Sequence, residues 1–177
     1  MEQHPQKNLD AERRALHAVE HHHGEMLAEL RERVAALIRA VEEPASGAGA
    51  DARNALAMWC EQELVPHALA EEGPLYSGPG NTVQGRLLVE GMLAEHQAIV
   101  GLVERLRVAQ GVQAAATGTA IQELFAVHLD KENRLLMPFI VQSPELSLAD
   151  SVEGLHELVG HGREHGHEHE HEADRQL

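Results

Sequence analysis

The chain has 177 residues, a formal net charge of −15 at pH 7 and only 2% aromatic residues. This length suits one domain with a substantial core, and a composition poor in aromatics but rich in Ala, Leu, Val and Glu favours helices over a β-sandwich. The negative charge argues against nucleic acid and against an anionic membrane surface as partners.

The cysteine content and the hydropathy of the sequence indicate the cellular compartment in which we expect the protein. Cys60 is the single cysteine, so no internal disulfide can form and nothing points to an oxidising compartment. The sequence shows no signal-peptide pattern, and no apolar run approaches the ~20 residues of a membrane span. We therefore expect a cytoplasmic protein without a membrane partner.

Apolar residues recur with a helical period in successive segments, which predicts an all-α protein, an up-down-up-down four-helix bundle. We expect Asp10 to be the first N-cap and Pro66 to kink the second helix. Loops rich in Gly, Pro and Ala are expected at residues 43–49, 77–81 and 111–118. A short capping helix should complete a domain of residues 1–159. The expected long helices are residues 9–43, 51–72, 82–109 and 119–141, and the capping helix is 146–159.

From Gly160 the sequence reads G-H-G-R-E-H-G-H-E-H-E-H-E, a low-complexity composition that cannot pack a core. Residues 160–177 are therefore predicted to form a disordered His-rich tail. Its imidazoles could bind Zn, Ni or Cu weakly, or the segment could serve only as a solvated acidic tail.

Histidines lie on the apolar stripes of the predicted helices. His128 and Glu132 are four residues apart and share a helix face with Ile121, Leu124, Phe125, Leu135, Leu136 and Phe139. His67 and Glu71 repeat this pair, and His96 lies within the stripe of the third helix. His23 fits the stripe of the first helix, with His22 beside it as second choice.

Because the mid-points of antiparallel helices come to one level, these side chains are expected to converge. Buried imidazoles and carboxylates are costly unless something satisfies them, which a metal ion would do. The alternative is a hydrogen-bonded polar core without metal. The predicted metal ligands are His23, His67, Glu71, His96, His128 and Glu132.

The stretches around these histidines are H-G-E-M-L-A-E-L, P-H-A-L-A-E-E-G-P-L-Y, A-E-H and H-L-D-K-E-N-R-L-L-M-P. With their spacing, they resemble the hemerythrin family of HHE cation-binding domains over about residues 9–142. The resemblance implies a four-helix bundle that holds two non-haem irons with an oxo or hydroxo bridge. It implies histidines as terminal ligands, with Glu71 and Glu132 bridging the metals.

The sequence departs from oxygen-carrying hemerythrins at two ligands. Their fifth histidine, one turn after His96, is Val100 here, and their aspartate five residues after the last histidine is replaced by Glu132 at four. In both respects the chain resembles bacterial iron-centre repair proteins, which also carry glutamates at the positions of Glu63 and Glu95. The paired cysteines of their N-terminal segment have no counterpart in this sequence.

Ligand counting indicates what the missing histidine changes. Two six-coordinate irons offer about twelve positions, and the implied ligands with an oxygen bridge fill about ten. One open position per iron suits peroxide, NO or bridged O₂ chemistry. The candidate catalytic groups that relay protons are Glu95 and Glu63, and we expect Glu63 on the inner face of the second helix, one turn before His67.

Three functions stay open at this point. The first is a diiron protein that binds O₂, NO or peroxide as an enzyme or a sensor. The second is an iron or metal store, and the third is a metal-free helical interaction module. Tyr76 could reach the site as a redox or proton group, or could simply pack.

Overall fold

The computed structural model describes residues 7–43 and 47–153, and every regular element in these two ranges is helical. The predicted helical class is therefore confirmed. The tail at 160–177 and the expected domain boundary at 159 lie outside the described residues. The helices are α1 (Leu9–Glu42), α2 (Ala48–Trp59, a π-helical turn Cys60–Leu64, and Val65–Glu71), α3 (Ser77–Gly80), α4 (Arg86–Val108) and α5 (Gly111–Lys131, a π-helical turn Glu132–Leu136, and Met137–Gln142).

Helix α1 packs against α2 and α5, and α4 packs against α5 and α2. The buried apolar residues form two clusters, one around Leu30, Leu56 and Phe125, the other around Tyr76, Met92 and Leu136. On α1, α4 and α5 the chain passes from one cluster to the other through a buried histidine or glutamate. The fold therefore holds a polar layer between two apolar layers.

The segment 111–118, expected to be a loop, is the first part of α5. Alanines favour the helix, and small residues let the helices approach closely. Ala114 and Gly118 are buried, and a Cβ at Gly118 would lie 3.0 Å from Leu56 Cδ2. Small residues are common both in loops and at close contacts between helices. Composition alone therefore could not distinguish the predicted loop from a helix.

The N-cap of helix α1 lies two residues before the expected Asp10. Asn8 is the N-cap, and its Oδ1 accepts a hydrogen bond from the backbone N–H of Ala11 at 3.2 Å. The turn expected at 77–81 is the short helix α3. In the described residues no helix is long and apolar enough to cross a membrane.

Both π-helical turns precede a proline at the same spacing. Pro66 follows the turn Cys60–Leu64, and Pro138 follows the turn Glu132–Leu136. A proline inside a helix cannot donate to the carbonyl four residues back, and a locally widened turn can accommodate this loss. The kink expected at Pro66 is thus spread over a π-helical turn.

The wider turns change which residues face inward. Two expectations are wrong here: Glu63 is exposed instead of lying on the inner face, and Leu135 is 53% exposed instead of continuing the buried stripe. Each follows the start of a π-helical turn by three residues. A π-helical turn has more than four residues, so the residue that follows Glu63 or Leu135 faces inward instead. These residues, Leu64 and Leu136, are buried.

The described C-terminal residues return to the beginning of α1. Glu12 is 1% exposed, and its carboxylate accepts hydrogen bonds from Ser147 Oγ at 2.8 Å and from the backbone N–H of Leu148 at 2.9 Å. Residues 148–153 are helical, which agrees with the described part of the expected capping helix. The chain therefore leaves the described region close to the first turns of α1.

Candidate metal centre

The polar layer brings all six predicted metal ligands together. Each is at least nine-tenths buried, and His67, at 9% exposure, is the least enclosed. His23 comes from α1, the pair His67 and Glu71 from α2, His96 from α4, and the pair His128 and Glu132 from α5.

Five of these side chains form two groups, and the ligand atoms within each group lie within 4.8 Å of one another. The first half of the centre contains His23 and His67, and the second half contains His96 and His128. Glu71 belongs to both groups. Its Oε1 lies 3.3 Å from His23 Nε2 and 3.3 Å from His67 Nε2.

Glu132 also faces both halves. Its Oε2 lies 3.6 Å from His23 Nε2, and its Oε1 lies 3.5 Å from His128 Nε2. The Nε2 atoms of His96 and His128 are 3.0 Å apart. Two carboxylates shared between two histidine pairs can hold two metal ions side by side.

Polar partners behind the imidazoles orient three of the rings. His96 Nδ1 lies 3.0 Å from Glu72 Oε1, His128 Nδ1 lies 3.0 Å from Glu95 Oε2, and His23 Nδ1 lies 2.9 Å from Asn133 Oδ1. Each of these acceptors favours the tautomer with the proton on Nδ1. That tautomer leaves the Nε2 lone pair free to bind a metal.

Tyr76 enters the second half of the centre. Its side chain is 1% exposed, and its hydroxyl donates to Glu132 Oε1 at 2.5 Å. The same oxygen lies 3.3 Å from His96 Nε2 and 3.2 Å from His128 Nε2. Tyr76 therefore reaches the site and also packs in the second apolar cluster. Its redox or proton role stays a prediction.

Burial and charge shift the titration of these groups in opposite directions. Burial, assisted by His23, lowers the pKa of His67 to about 3. Burial and the neighbouring Glu132 raise the pKa of Glu71 to about 8. Burial also acts to raise the pKa of Glu132, but hydrogen bonding and charge from His128 outweigh it and lower that pKa to about 2.

The histidines beside the ionised Glu132 behave differently from His67. Burial lowers the pKa of His128, but Glu132 and Glu95 overcome this effect and hold it above its ordinary value. His23 has a raised pKa for the same reason, since Glu71 and Glu132 outweigh its burial. Burial raises the pKa of Tyr76, and Glu132 raises it further.

Buried polar atoms without a hydrogen-bond partner indicate whether this cluster is suited to a metal ion. Within the described part of the chain, His67 Nε2, Glu71 Oε2 and Glu132 Oε2 are buried without a hydrogen-bond partner. Although Glu71 Oε1 lies 3.3 Å from His67 Nε2, the pair forms no hydrogen bond. Such groups are costly to bury, and all three are ligand types that bind divalent or trivalent iron. The residues therefore fit a metal centre.

The other residues singled out in the sequence are placed as follows. Glu95 contacts His128 and Lys131, whereas Glu63 is exposed. His22 is exposed beside the centre, with its ring centroid 5.2 Å from that of His67, so His23 is the histidine inside it. Val100 is half-buried on α4, one turn after His96.

Two supporting residues were missed in the sequence. Glu72 and Asn133 each directly follow a central glutamate, and each reaches a histidine of another helix. Each is a polar residue next to a predicted ligand at the edge of an apolar stripe, and this pattern could have indicated a supporting role. The sequence could not indicate which histidine each one supports, because that histidine lies on a different helix.

Comparison with known proteins identifies the family. The hemerythrin HHE cation-binding domain family matches residues 14–140, which is most of the chain. No curated protein and no solved structure matches. The matched range includes all six predicted ligands, which are buried. The chain belongs to the hemerythrin HHE cation-binding domain family.

Proposed function

We propose that this metal-binding helical bundle is a non-haem diiron protein that binds or reduces O₂, peroxide or NO. The observation that carries the proposal is the pair of shared carboxylates: Glu71 belongs to both ligand groups, and Glu132 faces a histidine of each half. This arrangement suits two ions, since a single ion would leave one histidine pair unsatisfied.

In this proposal His23 and His67 bind one iron, and His96 and His128 bind the other. Glu71 and Glu132 bridge the two, in an up-down-up-down bundle of residues 1–159. A pair of irons with an oxo or hydroxo bridge would supply electrons and open coordination positions for a small ligand. Imidazole and carboxylate donors suit iron.

The protein's own groups would orient the ligands and move protons. Glu72, Glu95 and Asn133 hold three imidazoles with Nε2 directed inward. The Tyr76 hydroxyl donates a hydrogen bond to Glu132 Oε1, with 2.5 Å between the two oxygens, and lies next to the Nε2 atoms of His96 and His128. Tyr76 is therefore positioned to donate a proton to a small molecule bound in the second half.

The valine at position 100 favours a reactive centre over one that only carries O₂. A valine cannot bind a metal, so the position of the fifth histidine in oxygen carriers supplies no ligand here. One position on each iron would stay exchangeable, and a ligand could then contact both irons. The proton-relay role predicted for Glu63 and Glu95 stays a prediction, and the contact with His128 favours Glu95 for it.

Iron content tests the centre itself. Protein isolated with iron should carry close to two irons per chain and show an oxo-bridge absorption in the near ultraviolet. A content near one iron, without that absorption, would contradict the diiron assignment. A metal store, the alternative function, would load well beyond two irons per chain.

Stopped-flow mixing of the diferrous protein with O₂, peroxide and NO tests the reaction. We expect rapid oxidation by O₂, consumption of peroxide and binding of NO. Tyr76→Phe should slow the oxidation while the iron content stays near two, because the phenolic proton is removed and the ligands are kept. A stable, reversible complex with O₂ and no peroxide turnover would instead indicate an O₂-binding module.

A further inference from the structure

Lys131 lies at the edge of the buried centre and contacts it through a single carboxylate. Its ammonium group donates to Glu95 Oε1, and the other oxygen of that carboxylate, Oε2, lies 3.0 Å from His128 Nδ1. The side chains of Glu95 and Lys131 are only 20% and 25% exposed. Glu95 therefore connects a predicted metal ligand to a lysine through its two oxygens.

This contact joins two helices at the level of the centre. Glu95 is on α4, whereas His128 and Lys131 are on α5 at a spacing of three residues, which places both on one side of that helix. An ion pair that is mostly covered is screened less by solvent and salt than an exposed pair. The charge of Lys131 therefore acts on Glu95 and, through it, on His128.

The other carboxylates of the centre have no such cation. The four predicted histidine ligands contact four carboxylates, those of Glu71, Glu72, Glu95 and Glu132. Among residues 7–43 and 47–153, Lys131 is the only lysine or arginine within ion-pair distance of any of them. Glu72, which supports His96, pairs only with that ring in this part of the chain. The support of His128 is thus distinguished by its lysine.

Charge behind an imidazole affects which oxidation state of a bound metal is favoured. A carboxylate that accepts a hydrogen bond from Nδ1 makes the ring a stronger donor, and its negative charge favours ferric over ferrous iron. A lysine on the same carboxylate offsets part of that charge. Lys131 therefore acts in the direction of ferrous iron, against the effect of Glu95.

We propose that Lys131 is a positioning residue that raises the reduction potential of the iron held by His96 and His128. It fixes one oxygen of Glu95, so that the other stays on His128 Nδ1, and it offsets the charge of the carboxylate. This inference rests on the proposed diiron function and adds the residue that adjusts its redox balance. The diferrous state is the one that reacts with O₂, peroxide or NO in that function, and Lys131 makes this state easier to reach.

Reductive titration of the iron-loaded full chain tests the inference. Dithionite supplies one electron to each ferric iron, and the near-ultraviolet absorption reports the potential at which each is reduced. Lys131→Met keeps an unbranched side chain but removes the charge. We expect one of its two midpoint potentials to fall by about 59 mV, equivalent to a tenfold change in the ratio of ferric to ferrous affinity, with two irons retained.

Two control variants separate this effect from a general change of charge or packing. Lys131→Arg keeps the cation and should restore the wild-type potential. Arg134→Met removes a cation from the same helix, but Arg134 is 75% exposed and pairs with Asp130 instead of a residue of the centre. Arg134→Met should therefore leave both midpoint potentials unchanged.

The partner of the lysine gives the decisive comparison. Glu95→Gln removes the negative charge behind His128 and should raise the potential, opposite to Lys131→Met, whereas loosened packing would shift both variants in one direction. An unchanged or raised potential in Lys131→Met, with two irons bound, would overturn this inference alone. A wild-type protein that cannot hold two irons would overturn the proposed function, and this inference with it.

Discussion

The His23–His67 half and the His96–His128 half of the centre share two carboxylates but have different surroundings. In the second half, carboxylates of Glu72 and Glu95 stand behind both rings, and Lys131 contacts Glu95. Tyr76 adds a hydroxyl within reach of both Nε2 atoms. In the first half, the neutral amide of Asn133 stands behind His23.

Of the six predicted ligands, His67 has the fewest supporting partners. Among residues 7–43 and 47–153, no carboxylate other than Glu71 lies within ion-pair distance of its ring. It is also the most exposed of the six ligands, and the exposed His22 lies against it. Anionic partners behind an imidazole strengthen it as a ligand. We therefore expect the second half to hold its metal more tightly and the first half to exchange more readily.

The largest effect is expected from a carboxylate that both halves share. Glu132→Ala should reduce iron from about two per chain to well below one, because Glu132 faces a histidine of each half. Iron analysis of the purified variant measures this effect. Glu123→Ala, an exposed glutamate on the same helix, is the control and should keep both irons. Retention of one full iron in Glu132→Ala would mean that the halves bind independently.

Replacing one histidine in each half tests whether the two halves differ in how tightly they hold metal. His67→Ala should retain about one iron per chain, since the second half keeps its own ligands and supports. His128→Ala should retain less than His67→Ala, because it leaves Glu95 without its histidine partner and removes one of the two histidines that Tyr76 contacts. Equal iron contents, or the opposite order, would contradict the difference between the halves.

Removal of a side chain that supports a histidine ring from behind should have a smaller effect on iron binding. Glu95→Ala should weaken iron binding about 10-fold or more, as is typical when the partner of a metal-bound histidine is lost. Glu63→Ala is the matched control on an exposed glutamate and should change neither affinity nor turnover. Slower peroxide turnover in Glu63→Ala would instead support the relay that the sequence predicts.

The smallest effect is the titration of the metal-free protein. Since burial lowers the pKa of His67 to about 3, this ring should stay neutral through mild acid, whereas the raised pKa of His128 should keep that ring charged above its ordinary range. His67 then contributes stability that is lost as the pH falls from about 6.5 to 3. His128 contributes stability that is lost as the pH rises through its raised pKa. NMR of the imidazole protons measures both, and coincident titration would contradict the comparison.

Much of the centre was predictable because a buried histidine or glutamate on an apolar stripe is conspicuous. The spacing in His67–Glu71 and His128–Glu132 fixed these pairs to one helix face each, and His23 was preferred to His22 by helical period alone. The same periodicity failed for Glu63 and Leu135, since an α-helical period does not include the π-helical turns. Composition misled for residues 111–118, because small residues such as Gly118 lie in a contact between helices there.

The sequence by itself determined the helical class, the six buried polar residues of the centre and the family, because periodicity and spacing are local properties of the chain. Tertiary structure alone decided which atoms meet across helices. Glu72 supports His96 from another helix, Asn133 supports His23 across 110 positions, and Tyr76 reaches two histidines and Glu132. These contacts depend on the rotation of each helix about its axis. Two π-helical turns and the packing of α1, α4 and α5 set that rotation, and no short stretch of sequence encodes it.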